Sequence, residues 1–401
     1  MSQLQQRTQR DLRLDFFRGI AMLIIFIAHV PANPWTNYIP ARFGPSDATE
    51  MFVYCSGFAS ALAFGSIFLK QGFGLGSARI LFRCFQVYWA HIAMFFAVTF
   101  VVVIGTDLLT TRDYVGQLNL YPFFNDPMNG IVGLMTLTYV PNYFDILPMY
   151  LVLLLMVPFV MALSLVHRLL PRAAVFALWL ANQLFDFQLP AEWWSDRTWF
   201  FDPFGWALIF FTGFAIAAKW VKPPPPKRGL VIACAAFVII MFPIYYWPIA
   251  SEVEWIRAFR EITWMPLFAK TDFGLLRWLH FMALAYLCVA ALHGRREILA
   301  HPLLMPVVRV GQQALSTFIC SMVLARIAGM VLDQTGRDLL SVALVNLSGF
   351  AILIGIAYMV RFFKSSPWRR PPALASKTTP VIMEPSGPKQ ASELELERAK
   401  A

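Results

Sequence analysis

The chain has 401 residues, of which 58% are hydrophobic and 14% charged, against roughly 45–50% apolar and about 25% charged in soluble domains. That balance excludes a protein with water as its only solvent. The net charge of +10 does not point to nucleic acid, because the basic residues sit in short connections between apolar stretches, where they report orientation in a membrane.

Uncharged stretches of about 18–22 residues match the length a helix needs to cross a hydrocarbon core of roughly 30 Å. They predict an all-α polytopic membrane protein with about ten spans, near 15–32, 50–69, 82–104, 146–166, 173–189, 204–221, 229–249, 273–292, 311–332 and 339–362. The first follows Arg7, Arg10 and Arg13 and has no small-residue cleavage site after it, so it reads as a retained span rather than a signal peptide. The fifth carries Asn182 and Asp186, and 131–145 reads as a span-flanking re-entrant or interfacial piece. Basic residues alternate with acid-rich connections. Lys70, Arg79, Arg168, Lys222, Arg295 and Arg361 fall on one side, and Asp107, Asp113, Asp126, Glu252 and Glu261 on the other. This bias predicts cytoplasmic termini, with 1–14 a basic N-terminus, 15–362 the membrane domain, and 363–401 a solvated, mostly disordered tail. Cys55, Cys84, Cys234, Cys288 and Cys320 lie in apolar stretches without metal-ligand spacing, so they read as buried thiols and no metal is expected.

Ionisable groups at the centre of a span cost about 2.5–3.5 kcal/mol each, so those present should be paired or used. Asp15 and Arg18 share a helix face at the inner end of the first span and are expected to form a structural ion pair. His29 stands about 21 Å further up the same helix, in the outer third of the membrane. Glu50 opens the second span on that side, across the connection 31–48, and is expected to hold one imidazole nitrogen while the other acts as a general base. Arg79 and Arg83, one turn apart at the foot of the third span, make a candidate phosphate clamp, although positive-inside topology explains them equally well. Arg277 and His280 lie about one turn apart near the outer start of the eighth span and are expected to face the same cavity as acceptor- or acyl-binding residues. Arg326, inside the ninth, has no evident partner. The outer connections are rich in Trp, Tyr and Phe, which suit either an interfacial belt or a sugar-stacking face.

The strings LRLDFFRGIAMLIIFIAH, ATEMFVYCSGF, YVPNYFDILPMY, WFFDPFGWALIFFTG, LLRWLHFMALAYL and VGQQALSTF resemble the OpgC family of osmoregulated periplasmic glucan succinyltransferases, over about residues 11–362. The first-span Asp, Arg-Gly and His also resemble the wider acyltransferase-3 membrane superfamily. This resemblance implies an O-acyltransferase of the bacterial inner membrane, with cytoplasmic acyl-CoA, typically succinyl-CoA, as co-substrate and a periplasmic β-glucan as acceptor. It puts His29 in the place of the catalytic histidine and Arg79 and Arg83 in that of the donor-phosphate arginines. The wider superfamily often has Arg-x-x-Arg where this chain has Arg-x-x-x-Arg. On this reading the acceptor enters over Asn142, Tyr143, Asp145, Trp199 and Asp202, and Arg277 receives the free carboxylate of a succinyl group. Membrane lipids are the other expected partners, and a homodimer is compatible with the sequence. The competing class is a glucan or anion transporter without acyl chemistry, whose expected repeated halves and Gly/Pro-broken helix pairs are not evident in the sequence.

Overall fold

A computed structural model describes residues 12–109, 111–263 and 267–368. Arg7, Arg10 and the tail beyond Trp368 lie outside them. The described residues form helices and no strand beyond an isolated bridge between Pro190 and Thr198.

Every predicted span falls on a helix. In chain order these are α1 (Leu12–His29), α2 (Ala48–Gln71), α3 (Phe73–Leu109), α4 (Ile146–Val166), α5 (Leu170–Phe185), α6 (Pro203–Ala217), α7 (Arg228–Tyr245), α8 (Leu275–Ala291), α9 (Ala314–Thr335) and α10 (Leu339–Lys364). Six of them, α2, α3, α4, α7, α9 and α10, are long and apolar enough to cross a membrane. The other four fall short for physical reasons. α5, α6 and α8 have 16, 15 and 17 residues, and α1, with 18, carries Arg13, Asp15 and Arg18 in its first two turns. The stretch 131–145 is not one element. A helix, Pro127–Thr136, gives way to irregular chain in which Leu137 and Tyr143 adopt positive φ.

Local chemistry sets the helix ends. Pro31 and the positive φ of Ala32 stop α1 just after His29. Asp47 and Glu50 form a reciprocal capping box that starts α2. α2 and α3 are separated by Gly72 at φ +90°, a conformation only glycine adopts without strain. Asp202 caps α6 by accepting from the N–H groups of Phe204 and Gly205.

In lipid, helices gain little from burying apolar surface against one another, so close packing of small residues has to hold them together. Two crossings carry this burden. Where α2 meets α6, an added Cβ at Gly57 would fall 1.9 Å from the Phe210 carbonyl, and one at Gly213 would fall 2.3 Å from that of Tyr54. Where α1 meets the short helix Met305–Gln312, Gly19 lies against the Val307 carbonyl and Gly311 against that of Asp15. Each contact is reciprocal, backbone to backbone. Further packing joins α3 to α4 and α9, α5 to α6, and α7 to α8.

The chain divides into two compact units, Met1–Arg361 and Phe362–Ala401. In the second, the rings of Phe363 and Trp368 lie 6.1 Å apart.

The glycine crossing is open to test. Gly57→Val is expected to push α2 from α6 at a cost of about 1–3 kcal/mol or more, seen as a lower thermal midpoint in detergent-phase size-exclusion chromatography. Gly65→Ala, where nothing lies within 4 Å of an added Cβ, should leave the midpoint unchanged.

Candidate active site

The polar centre of the protein lies where α2 begins and α8 approaches. Glu50 is fully buried and Arg277 is 2% exposed, and they form an ion pair of 2.7 Å. The second Glu50 oxygen accepts from the Asp47 backbone N–H at 2.7 Å. Arg277 also donates through Nε and Nη2 to the Phe268 carbonyl, at 3.3 and 3.2 Å. Asp47 in turn accepts from Lys270 Nζ at 2.6 Å and from the Thr49 N–H at 2.7 Å. A continuous chain of charge-assisted bonds therefore runs Lys270, Asp47, Glu50, Arg277. Burial works against the Asp47 carboxylate, but Lys270 and Arg277 outweigh it and hold its pKa below the usual range.

Beside this chain opens a cavity of about 770 Å³. The last two turns of α1, the first turns of α2 and α4, and the connections 196–201 and 270–271 line it. His29 is on its wall, with Asn142, Tyr143, Asp145 and Trp199, all expected from sequence. His29 Nδ1 lies 2.7 Å from the Ile25 carbonyl. A carbonyl can only accept, so Nδ1 carries the proton and Nε2 keeps the lone pair. Tyr143 stands edge-on to the imidazole at 5.6 Å between ring centres and is held at φ +74°, a strained backbone for a non-glycine. Asp145 accepts from the Phe200 N–H at 2.9 Å, and burial pushes its carboxyl up to about 6.

Several expected roles change with these positions. Glu50 does not orient His29, since Arg277 and the Asp47 N–H occupy its oxygens and the backbone of α1 fixes the tautomer instead. Arg277 is committed to Glu50 and Phe268 and is not free to hold an acyl carboxylate. Asp202 is turned inward. It takes hydrogen bonds from Asn182 and Gly205 at 2.7 and 2.6 Å, its carboxyl is pushed up by burial to about 7, and it does not line the cavity. His280 bonds Ser46 at 2.7 Å and also lies off the cavity wall. Trp199 is 4% exposed with Nε1 donating to the Pro190 carbonyl. The open aromatic faces belong to Tyr143 and Phe200, at 50% and 49% exposure.

Three wall residues escape a reading of the sequence. Asp47 looks like a plain helix cap. Lys270 sits in a connection, and Arg197, bonded to Glu192 and the Val140 carbonyl at 2.7 Å each, sits in another. A cation in an outer connection that the topology leaves poor in base is the one signal that marks Lys270 and Arg197.

At the opposite end of the bundle, Arg79 and Arg83 lie in the first turns of α3, the former exposed, the latter bonded to Gln86 at 3.2 Å. Neither is in an ion pair among the described residues. Asp15 is buried and accepts from Gln312 at 3.2 Å, while Arg18 Nε is buried without a hydrogen-bond partner.

The family model described as OpgC protein matches residues 10–365. Comparison with curated proteins and with solved structures found no match.

The buried ion pair makes a direct prediction. Arg277→Met leaves Glu50 buried without its cation and should cost about 3–5 kcal/mol. The double variant Arg277→Met with Glu50→Met should recover most of that loss. Thermal unfolding of the four proteins, read as a double-mutant cycle, checks it.

Proposed function

This chain belongs to the OpgC family, and from that membership together with the cavity we propose that it transfers a succinyl group from cytoplasmic succinyl-CoA to hydroxyls of osmoregulated periplasmic glucans. The observation that supports the chemistry best is His29. Its Nδ1–H is tied to the Ile25 carbonyl, and the nitrogen left with a lone pair belongs to a ring on the cavity wall.

On this reading all ten helices lie within the bacterial inner membrane and both termini face the cytoplasm. The cavity end then faces the periplasm, and Arg79 and Arg83 meet the donor's phosphates at the inner face. CoA's pantetheine arm reaches up the bundle and presents the thioester at His29. A sugar hydroxyl enters from the outside across Tyr143 and Phe200, whose half-exposed rings suit the apolar side of a pyranose, with Asn142 and Thr198 beside them for hydroxyl contacts.

The reaction then balances as follows. His29 Nε2 takes the hydroxyl proton as the sugar oxygen attacks the thioester carbonyl carbon, giving a tetrahedral oxyanion and an imidazolium. Collapse of that intermediate breaks the C–S bond. The imidazolium returns its proton to the leaving sulfur, so the products are the sugar ester and the free thiol of CoA. The kinship to the acyltransferase-3 superfamily suggested by the first-span motif supports the same assignment of the base.

Two experiments test this reading. In membranes given labelled succinyl-CoA and purified glucan, wild type should place label in the sugar, and His29→Gln should lower turnover about 10²–10⁴-fold while donor binding persists. A near wild-type rate in the variant would make His29 a structural residue. Replacing Arg79 and Arg83 together with Gln should raise the KM for acyl-CoA at least about tenfold, given roughly 1.5–3 kcal/mol per charge-assisted contact, and leave that for glucan nearly unchanged. An unaltered donor KM would reduce the pair to a topology signal.

A further inference from the structure

Arg326 lies within α9 and is 5% exposed, yet its Nε and Nη2 are buried without any hydrogen-bond partner. Among the described residues no carboxylate pairs with it. Five other cations of the outer connections and helix ends are paired with carboxylates: Lys270 with Asp47, Arg277 with Glu50, Arg197 with Glu192, and Arg112 and Arg337 with Asp333. A guanidinium taken out of water with two donors open is an unfavourable arrangement that an incoming anion would complete.

Its surroundings place that anion. The guanidinium carbon sits 4.6 Å from the centre of the Tyr143 ring, and the same ring stands edge-on to His29. Gly329, one helical turn beyond Arg326, packs against Pro31, so α9 passes the end of α1 close to the level of His29. The Tyr143 ring thus touches both the imidazole of His29 and the guanidinium of Arg326, and it stands on the cavity wall that Arg326 lies behind.

Building on the acyl-transfer reading, we propose that Arg326 receives the free terminal carboxylate of the acyl group and so makes the site selective for short dicarboxylic acyl chains over neutral ones of the same length. Arg326 takes the part that the sequence assigned to Arg277. The fork geometry of a guanidinium suits a carboxylate held by two parallel N–H bonds, and Nε and Nη2, the two open donors, form one edge of that fork. Tyr143, whose ring centre lies 4.6 Å from the guanidinium carbon, holds the cation beside the cavity wall.

The test compares two donors of four acyl carbons, succinyl-CoA and butyryl-CoA, on membranes carrying wild type, Arg326→Gln and Arg326→Lys. Wild type should favour succinyl-CoA. Arg326→Gln should lose about tenfold or more in kcat/KM for succinyl-CoA with butyryl transfer kept, and Arg326→Lys, which keeps the charge but not the fork, should fall between. Size-exclusion profiles establish that the variants are folded, and if the Gln variant is not, the Lys variant carries the comparison. A folded variant that keeps the full preference for succinyl-CoA overturns the assignment, as does one that loses both donors equally, which would place Arg326 at the reacting carbonyl. Wild type that transfers from neither donor overturns the acyl-transfer reading itself, and this inference with it.

Discussion

The ion pair between Glu50 and Arg277 is the constraint on which the active end of the molecule depends. Taking both charges out of water is costly, and their attraction offsets that cost only when every remaining donor and acceptor is satisfied. Here each is. The second carboxylate oxygen holds the Asp47 N–H, and the other guanidinium nitrogens hold the Phe268 carbonyl. What such a pair supplies is position more than net stability. It fixes the start of α2 against α8, and Asp47, held in its capping box, is thereby aimed at Lys270 on the cavity wall. The wall is an extension of the buried charge network.

His29 is seated by different means. The reciprocal glycine contacts of α1 with Met305–Gln312 leave the two backbones no room to slide, and α1 also packs on α2 and α9. A base at the end of a helix locked in this way, with its tautomer set by its own backbone, needs no second side chain to orient it. This explains how Glu50 can be wholly given to the ion pair without leaving the imidazole undirected.

The helices were legible because apolar runs of membrane length are a strong, local signal, and each of the ten runs does form a helix. Whether every one crosses the bilayer was less legible, because short helices such as α6 and polar ones such as α1 can be buried among neighbours instead of lipid. The place of His29 on the cavity wall agrees with the attention drawn to it by the cost of a histidine in an apolar span. The partners were not legible. Glu50 and Arg277 are 227 positions apart, and no periodicity links an acid on one helix to a base on another. The sequence offered Glu50 a nearer partner across a short connection, and proximity along the chain proved a poor guide beside the pull of a fully buried arginine. Asp202 misled for a similar reason, since an Asp-Pro pair beside aromatics looks like a sugar site but is also the pattern of a helix cap with Pro in the first turn. Arg326 was conspicuous as a charge without an owner, and only the fold reveals which ring covers it.

One feature of the cavity reaches beyond its side chains. α1 arrives by its C-terminal end, whereas α4 arrives by its N-terminal end with no side chain capping it, Asp145 having turned to the Phe200 N–H instead. Peptide dipoles leave about half a positive charge at a helix start and half a negative one at a helix end. The space between the two ends therefore lies in a standing electric field made of main chain, negative beside the imidazole and positive across from it. Neither pole can titrate or be removed by replacing a side chain, so this main-chain part of the field stays the same from acid to alkaline conditions while the charge on wall residues such as Asp145 changes.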